Sequence, residues 1–174
     1  PPLKLSVQGK HFGKSNVFTR MSTLSGTEKE RLVQALMDAA SNLAESKTGA
    51  LITLEQSSSL SEYIKTGVQM NSLVSAELLC SIFATTTPLH DGAMLISAGR
   101  IYAAACILPI SKRQDLPKHF GLRHRAALGI TEKTDAIAIV VSEETGRISV
   151  AQGDSIHTVT TNELEHKYLA PVYG

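Results

Sequence analysis

The apolar positions of this chain change period several times, and each change marks an element. Leu32, Leu36, Ala39, Ala40 and Leu43 recur three to four apart, which predicts an amphipathic helix running to about Lys47. It opens on Ser25-Gly-Thr-Glu28, the spacing of a capping box, and stops at Gly49. The short apolar run Ala50 to Leu54 reads as a buried strand. A polar loop follows, with one helical turn around Tyr63. Ser75 caps a second helix that buries Leu78, Leu79, Ile82 and Phe83 and stops before Pro88. Ala93 to Ser97 and Arg100 to Leu108 flank the turn Ala98-Gly99 and read as a hairpin. After a polar loop over 111–121, a helix is predicted from about Leu122 to Lys133. Strands over 135–142 and 147–152 surround the turn 143–146; a turn and short strand fill 153–159. Thr160-x-x-Glu163 caps a last helix to about Leu169. Residues 1–24 are polar, show no period and read as a loosely held arm, leaving 25–174 as one domain. Crossovers alternate with hairpins. The expected fold is therefore α/β: a central mixed, parallel and antiparallel, twisted sheet flanked by helices.

Composition narrows the function classes. The chain has 174 residues, 43% of them hydrophobic and 19% charged, which suits one globular domain with a sizeable core. Its net charge of +1 supplies no global basic field, so nucleic acid is not an expected partner and any anion site must be local. Cys80 and Cys106 lie in apolar runs and read as buried reduced thiols of a cytoplasmic protein, with a disulfide between them as the alternative. No stretch approaches the ~20 apolar residues of a membrane span. The chain opens on Pro-Pro rather than Met, which reads as the start of a trimmed sequence.

Three short segments carry the candidate chemistry. Arg123, His124 and Arg125 stand together where a helix begins, and cations are disfavoured there unless an anion compensates. Two guanidiniums two residues apart suit separate oxygens of a polyphosphate. His90, Asp91, Gly92 and Ala93 precede a strand. They supply an imidazole and a carboxylate for a divalent metal, a possible general base, and a glycine that lets backbone approach a ligand closely. Ser142, Glu143 and Glu144 follow another strand; adjacent carboxylates call for a nearby cation, and the serine could bond a phosphate oxygen. Alone, each segment has a plain alternative: a solvated basic turn, an Asp-Gly turn, a hairpin turn. Together they point to metal-dependent phosphoryl or nucleotidyl chemistry at the ends of strands. No Walker A or GxGxxG cradle is present. His11, His119, His157 and His166 read as incidental. Lys112, Arg113 and Lys118 read as solvated surface or auxiliary phosphate contacts.

The segments PLHDGAMLI, AAACILPIS and GLRHRAALGITEKTDAIAIVVSEETGRISVA jointly resemble the DAC domain of diadenylate cyclases, most of all its membrane-anchored CdaA type. The resemblance extends upstream through GALITLE and YIKTGVQMNSLVSAELL and covers about 39–154. It implies that two ATP molecules condense to cyclic di-AMP and two pyrophosphates with a divalent metal, Mn²⁺ or Mg²⁺ or Co²⁺. Carried over residue by residue, Asp91 would activate the ribose 3′-hydroxyl. His90, Asp91 and Glu144 would surround the metal. Arg123, His124 and Arg125 would hold and polarise the phosphates beside Ser142 and Glu143. Gly92, Ala93, Leu108 and Leu122 would line the substrate, with Leu108 against the adenine. The family commonly has Thr where this chain has Leu122, so one hydroxyl for the phosphates is missing. The resemblance also implies a cytoplasmic domain anchored to the inner face of the membrane by an N-terminal segment. A membrane regulator protein and a phosphoglucosamine mutase are implied as partners. One DGA and one RHR make one half-site, and the product has two identical linkages, so a face-to-face homodimer is expected. Two other readings compete: a sensor that binds ATP or cyclic di-AMP without turnover, and a metal-dependent phosphohydrolase.

Overall fold

The computed structural model describes residues 24–173. The expected arm at 1–24 therefore lies outside the described residues, apart from Leu24, as does His11.

Helix α1 (Gly26–Glu45) begins on the expected capping box: Ser25 Oγ accepts from the Glu28 amide and Glu28 reaches back to the Ser25 amide. It buries Leu32, Leu36, Ala39, Ala40 and Leu43. The chain then turns through Lys47 at φ 51° into β1 (Ala50–Leu54). One helical turn, α2 (Ser61–Ile64), leads to β2 (Val68–Leu73) and then α3 (Ala76–Phe83), capped by Ser75 as expected. The hairpin β3 (Ala93–Ser97) and β4 (Arg100–Cys106) precedes α4 (Leu122–Lys133), whose bounds are those read from the sequence. Strands β5 (Ile137–Val141), β6 (Ile148–Gln152) and β7 (Ser155–Val159) follow. The chain closes on α5 (Thr161–Glu163), a π-helical stretch (Leu164–Leu169) and α6 (Ala170–Tyr173).

The seven strands form one sheet in the order β2-β4-β3-β1-β5-β6-β7. Among the described residues only β1 and β3 pair in parallel and every other pair is antiparallel, so the sheet is mixed, as expected. Its central strands are buried along their whole length because both faces are covered. Side chains alternate between the faces. Ile52, Met94, Ile96, Ile137 and Ile139 pack under α1, α3 and the C-terminal helices. Leu51, Leu95, Ala138 and Val140 pack under α4 with Ala127 and Ile130.

Two elements depart from the sequence reading. Strand β2 is not among the elements read from the sequence: Val-Gln-Met-Asn alternates for only four residues before Asn71-Ser72 breaks the period. Among the described residues it is an edge strand paired only with β4, and Val68 and Leu73 are exposed. Strand β4 ends at Cys106 rather than Leu108. Ala105 takes φ 56° there, and the chain leaves the ladder before Pro109. Both cysteines are free; Cys106 is buried, but Cys80 is only half-buried.

The topology gathers loose ends at one edge. Ala50 pairs with Val141, and Ala93 with Cys106. The amino ends of β1 and β3 thus lie beside the carboxyl ends of β5 and β4. All three candidate segments converge there.

Candidate active site

A cavity of about 500 Å³ opens at that edge, a volume within the range of small-ligand sites. His90, Asp91, Gly92, Ala93, Leu108, Leu122, Arg123, His124, Ser142, Glu143 and Glu144 all line it. Of the twelve residues that the resemblance assigns to the site, Arg125 alone is not brought there; Lys112, Arg113 and Lys118 do not line it either.

Helix α4 points its first turn into the cavity. Arg123 lies mostly covered, with Nη1 3.7 Å from Glu143 Oε2. Its Nε is buried with no hydrogen-bond partner among the described residues. His124 is buried and stacks on Phe120, ring centroids 4.3 Å apart and nearly parallel. Its Nδ1 accepts the Gly121 amide at 3.0 Å, so the ring proton sits on Nε2. Burial, then the positive charges of His119 and Arg123, push its pKa down to about 4. The run of three cations is therefore two cations around a neutral imidazole, which can donate to an anion without adding repulsion.

Arg125 turns away. Two helical positions differ by about 200°, so its guanidinium leaves on the far side. Nη1 donates to the carbonyls of Arg113 at 2.6 Å and Ser111 at 3.3 Å. Ser111 itself donates through its amide to the Arg125 carbonyl and through Oγ to Glu132. In this structure Arg125 straps the segment 109–113 along α4 and offers nothing to the cavity. Arg113 likewise faces Asp115 and the Asp154 carbonyl.

At the entrance to β3, His90 Nδ1 lies 2.6 Å from the Thr87 carbonyl and donates to it. That leaves Nε2 as the other ring nitrogen, 3.3 Å from Asp91 Oδ1. An imidazole oriented by a carbonyl beside a carboxylate is a donor pair that fits a divalent cation. Glu144 does not close on this pair. Among the described residues no group of three His, Cys, Asp or Glu side chains stands close enough to hold a metal. The reason is topological. Strand β1 separates β3 from β5, so the two acidic segments stand about two strand spacings, ~9.5 Å, apart.

Gly92 has φ 101°, and a Cβ there would meet the Cys106 carbonyl oxygen at 2.7 Å and the Ala105 carbonyl carbon at 2.8 Å. The neighbouring strand is by itself sufficient to require a glycine here. Ser142 Oγ accepts the Glu144 and Thr145 amides at 3.2 and 3.1 Å, fixing the turn and leaving its own proton to donate.

The cavity has lining that the sequence pattern does not reveal. His119, which reads as incidental in the sequence, is on its wall, with Thr85, Ile107 and Ile110. Only the 107–121 loop folding back over α4 puts His119 and the two isoleucines there. His157 and His166 are outside it.

The fold and site together define a class: a mixed-sheet α/β domain whose cavity sets a cation and a neutral imidazole at the helix α4 amino end, beside an imidazole–carboxylate pair. Residues 37–156 match the family model described as "DisA bacterial checkpoint controller nucleotide-binding", and the chain belongs to that DAC family. It is 40% identical over 163 residues to the cyclic di-AMP synthase CdaA of Bacillus subtilis, covering 94% of this chain and 59% of that protein. It is 42% identical over 157 residues to a diadenylate cyclase of Listeria monocytogenes, covering 90% of this chain and 58% of that protein. The chain thus spans less than two thirds of these curated relatives. The crystal structure of a double mutant of DacA from Staphylococcus aureus superposes with TM-score 0.82 at 41% identity. That match covers 84% of this chain and 98% of the other. A hypothetical membrane-spanning protein of Bacillus cereus matches with TM-score 0.70 at 43% identity, covering 73% of this chain and 62% of that one.

Proposed function

We propose that this domain is a diadenylate cyclase: it joins two ATP molecules into cyclic di-AMP and releases two pyrophosphates. The observation that carries the proposal is the convergence of Asp91, Arg123, His124 and Ser142 on one cavity from three separate segments.

Each group has a task its geometry suits. Arg123 meets the phosphates as a cation whose present counter-ion, Glu143, is largely exposed and easily displaced. The His124 Nε2–H donates to a phosphate oxygen as a neutral group. The Ser142 hydroxyl adds a second neutral donor. Leu108, buried just beyond the end of β4, provides apolar wall for the adenine. Asp91 is 86% exposed at the mouth, where its carboxylate can take the proton from a ribose 3′-hydroxyl as that oxygen attacks an α-phosphorus. His90 Nε2 and Asp91 would hold a divalent ion. Such an ion supplies charge neutralisation for the triphosphate.

One chain carries one such set, and the product needs two linkages. We therefore place a second copy across the mouth. Ile107, Ile110 and Leu122 are exposed around it, an apolar rim that a second copy would cover. By its likeness to the membrane-spanning Bacillus cereus protein, the domain is proposed to work at the inner face of a membrane. Among the described residues no helix is long and apolar enough to cross one.

The test is direct. The chain is incubated with ATP and Mn²⁺ or Mg²⁺ over a range of protein concentrations, and products are identified by mass. Cyclic di-AMP whose specific rate rises with protein concentration is the expected result. AMP or ADP alone would overturn the proposal in favour of hydrolysis; bound ATP without product would favour a sensor.

A further inference from the structure

We infer that Gly49 is a positioning residue for Arg123: the space where its side chain would stand is the seat of the guanidinium. Gly49 ends the turn between α1 and β1, next to Ala50, whose partner Val141 leads into Ser142. A Cβ on Gly49 would fall 2.7 Å from Arg123 Cζ and 3.1 Å from Nη2, and closer still to Nη1. Three atoms of the guanidinium thus lie over the bare α-carbon.

The backbone does not explain the glycine. Gly49 is not among the positive-φ glycines, so an alanine could adopt its conformation. Gly26 and Gly121, by contrast, have nothing within 4 Å of an added Cβ. What excludes a side chain at 49 is the end of a long, flexible arginine, which would move aside more cheaply than any backbone. The domain would fold with alanine there, but its cavity cation would be displaced.

The same turn region also holds the counter-ion's segment. Gly146, at φ 74°, lies so close to α1 that a Cβ would meet the Ala44 carbonyl oxygen at 2.6 Å. The carboxyl end of α1 and the turn after it therefore back both Arg123 and the turn bearing Glu143. With Gly49 beneath the guanidinium and Glu143 3.7 Å from Nη1, the direction in which Arg123 presents its charge is set by residues outside the Arg-His-Arg segment.

This inference rests on the reading that Arg123 holds a phosphate, and its test separates the two. ATP affinity by calorimetry and thermal unfolding are measured for the parent chain, Gly49→Ala, Arg123→Ala and the double variant. Gly49→Ala is expected to weaken ATP binding about tenfold, the scale of one charged hydrogen bond. Its melting temperature should move by less than about 2 °C. In the Arg123→Ala background the same change should cost less than about twofold, because the clash is gone. Parental affinity in Gly49→Ala, or an equal loss in both backgrounds, would overturn the inference. If Gly49→Ala alone does not fold, recovery of folding in the double variant supports the contact, and failure in both overturns it. The Arg123 Nε–H resonance gives a readout independent of ATP. It should shift, and exchange faster with water, in Gly49→Ala, and an unchanged resonance would overturn the seat. A parent chain that binds no ATP but shows that shift would overturn the phosphate reading alone.

Discussion

At the scale of single residues, orientation decides chemistry. Arg123 and Arg125 are the same residue type two positions apart, yet one faces the cavity and the other ties down a loop. Arg125→Ala is expected to lower stability by about 1.5 kcal/mol, since two backbone carbonyls lose a charged donor. Chemical denaturation measures it, and an unchanged midpoint with lost ATP binding would restore Arg125 to the phosphate site. His124 makes a second residue-scale prediction. Its folded pKa lies near 4, below the ordinary 6.5, so the unfolded chain binds a proton that the folded one refuses. Its contribution to stability is complete above pH 6.5 and is lost as pH falls from there through about 4. Melting temperature should fall over that window more steeply in the parent than in His124→Gln. Nitrogen shifts of the ring should report the Nε2–H form at pH 7; a doubly protonated ring at pH 6 would contradict the assignment. Leu122 is 70% exposed at the mouth of the cavity, and the resemblance puts a hydroxyl at this position. Leu122→Thr should leave turnover unchanged or raise it, and reduced turnover would show that the apolar rim matters more.

At the scale of elements, the site depends on how closely α4 lies against the segment leaving β4. Gly129 makes that approach possible: a Cβ there would collide with the Pro109 carbonyl oxygen, and with its carbon at 2.6 Å. The obstacle is backbone, unlike that at Gly49. Gly129→Ala should therefore cost about 1–3 kcal/mol or more by overpacking, and should shift Leu108 and the cavity wall with it. An unfolding midpoint equal to the parent's would show that α4 can retreat freely. The elements themselves are largely legible in the sequence. Alternating or continuous apolar runs mark β1, β3, β5 and β6, and Ser25, Ser75 and Thr160 mark helix starts, because caps and periodicity are local chemistry. Strand β2 is only weakly legible, because its alternation spans just Val68 to Asn71 and pairing with β4 supplies the rest.

At the scale of the whole molecule, the expected product has two-fold symmetry and the chain has a single set of reacting groups. On the proposed function, Asp91→Asn should abolish cyclic di-AMP formation while leaving ATP affinity measured without metal nearly unchanged, since Asp91 is exposed at the mouth and Arg123 and His124 are proposed to hold the phosphates. Mixing Asp91→Asn with active parent should lower the parent's rate as inactive pairs form. An unaffected parent rate would argue that the reaction does not need two complete half-sites.

The sequence by itself determined which residues were available for chemistry and roughly where the elements begin and end. Both follow from residue type and from spacing over a few positions. The Arg-His-Arg, Asp-Gly-Ala and Ser-Glu-Glu segments are visible on those grounds alone. Only the tertiary structure decided which of them meet. It neutralised His124 by burying it beside two potential cations, turned Arg125 away, brought His119 to the wall and kept Glu144 apart from His90. These outcomes depend on strand order and helix phase, which set distances between residues far apart in the chain. No local pattern carries that information.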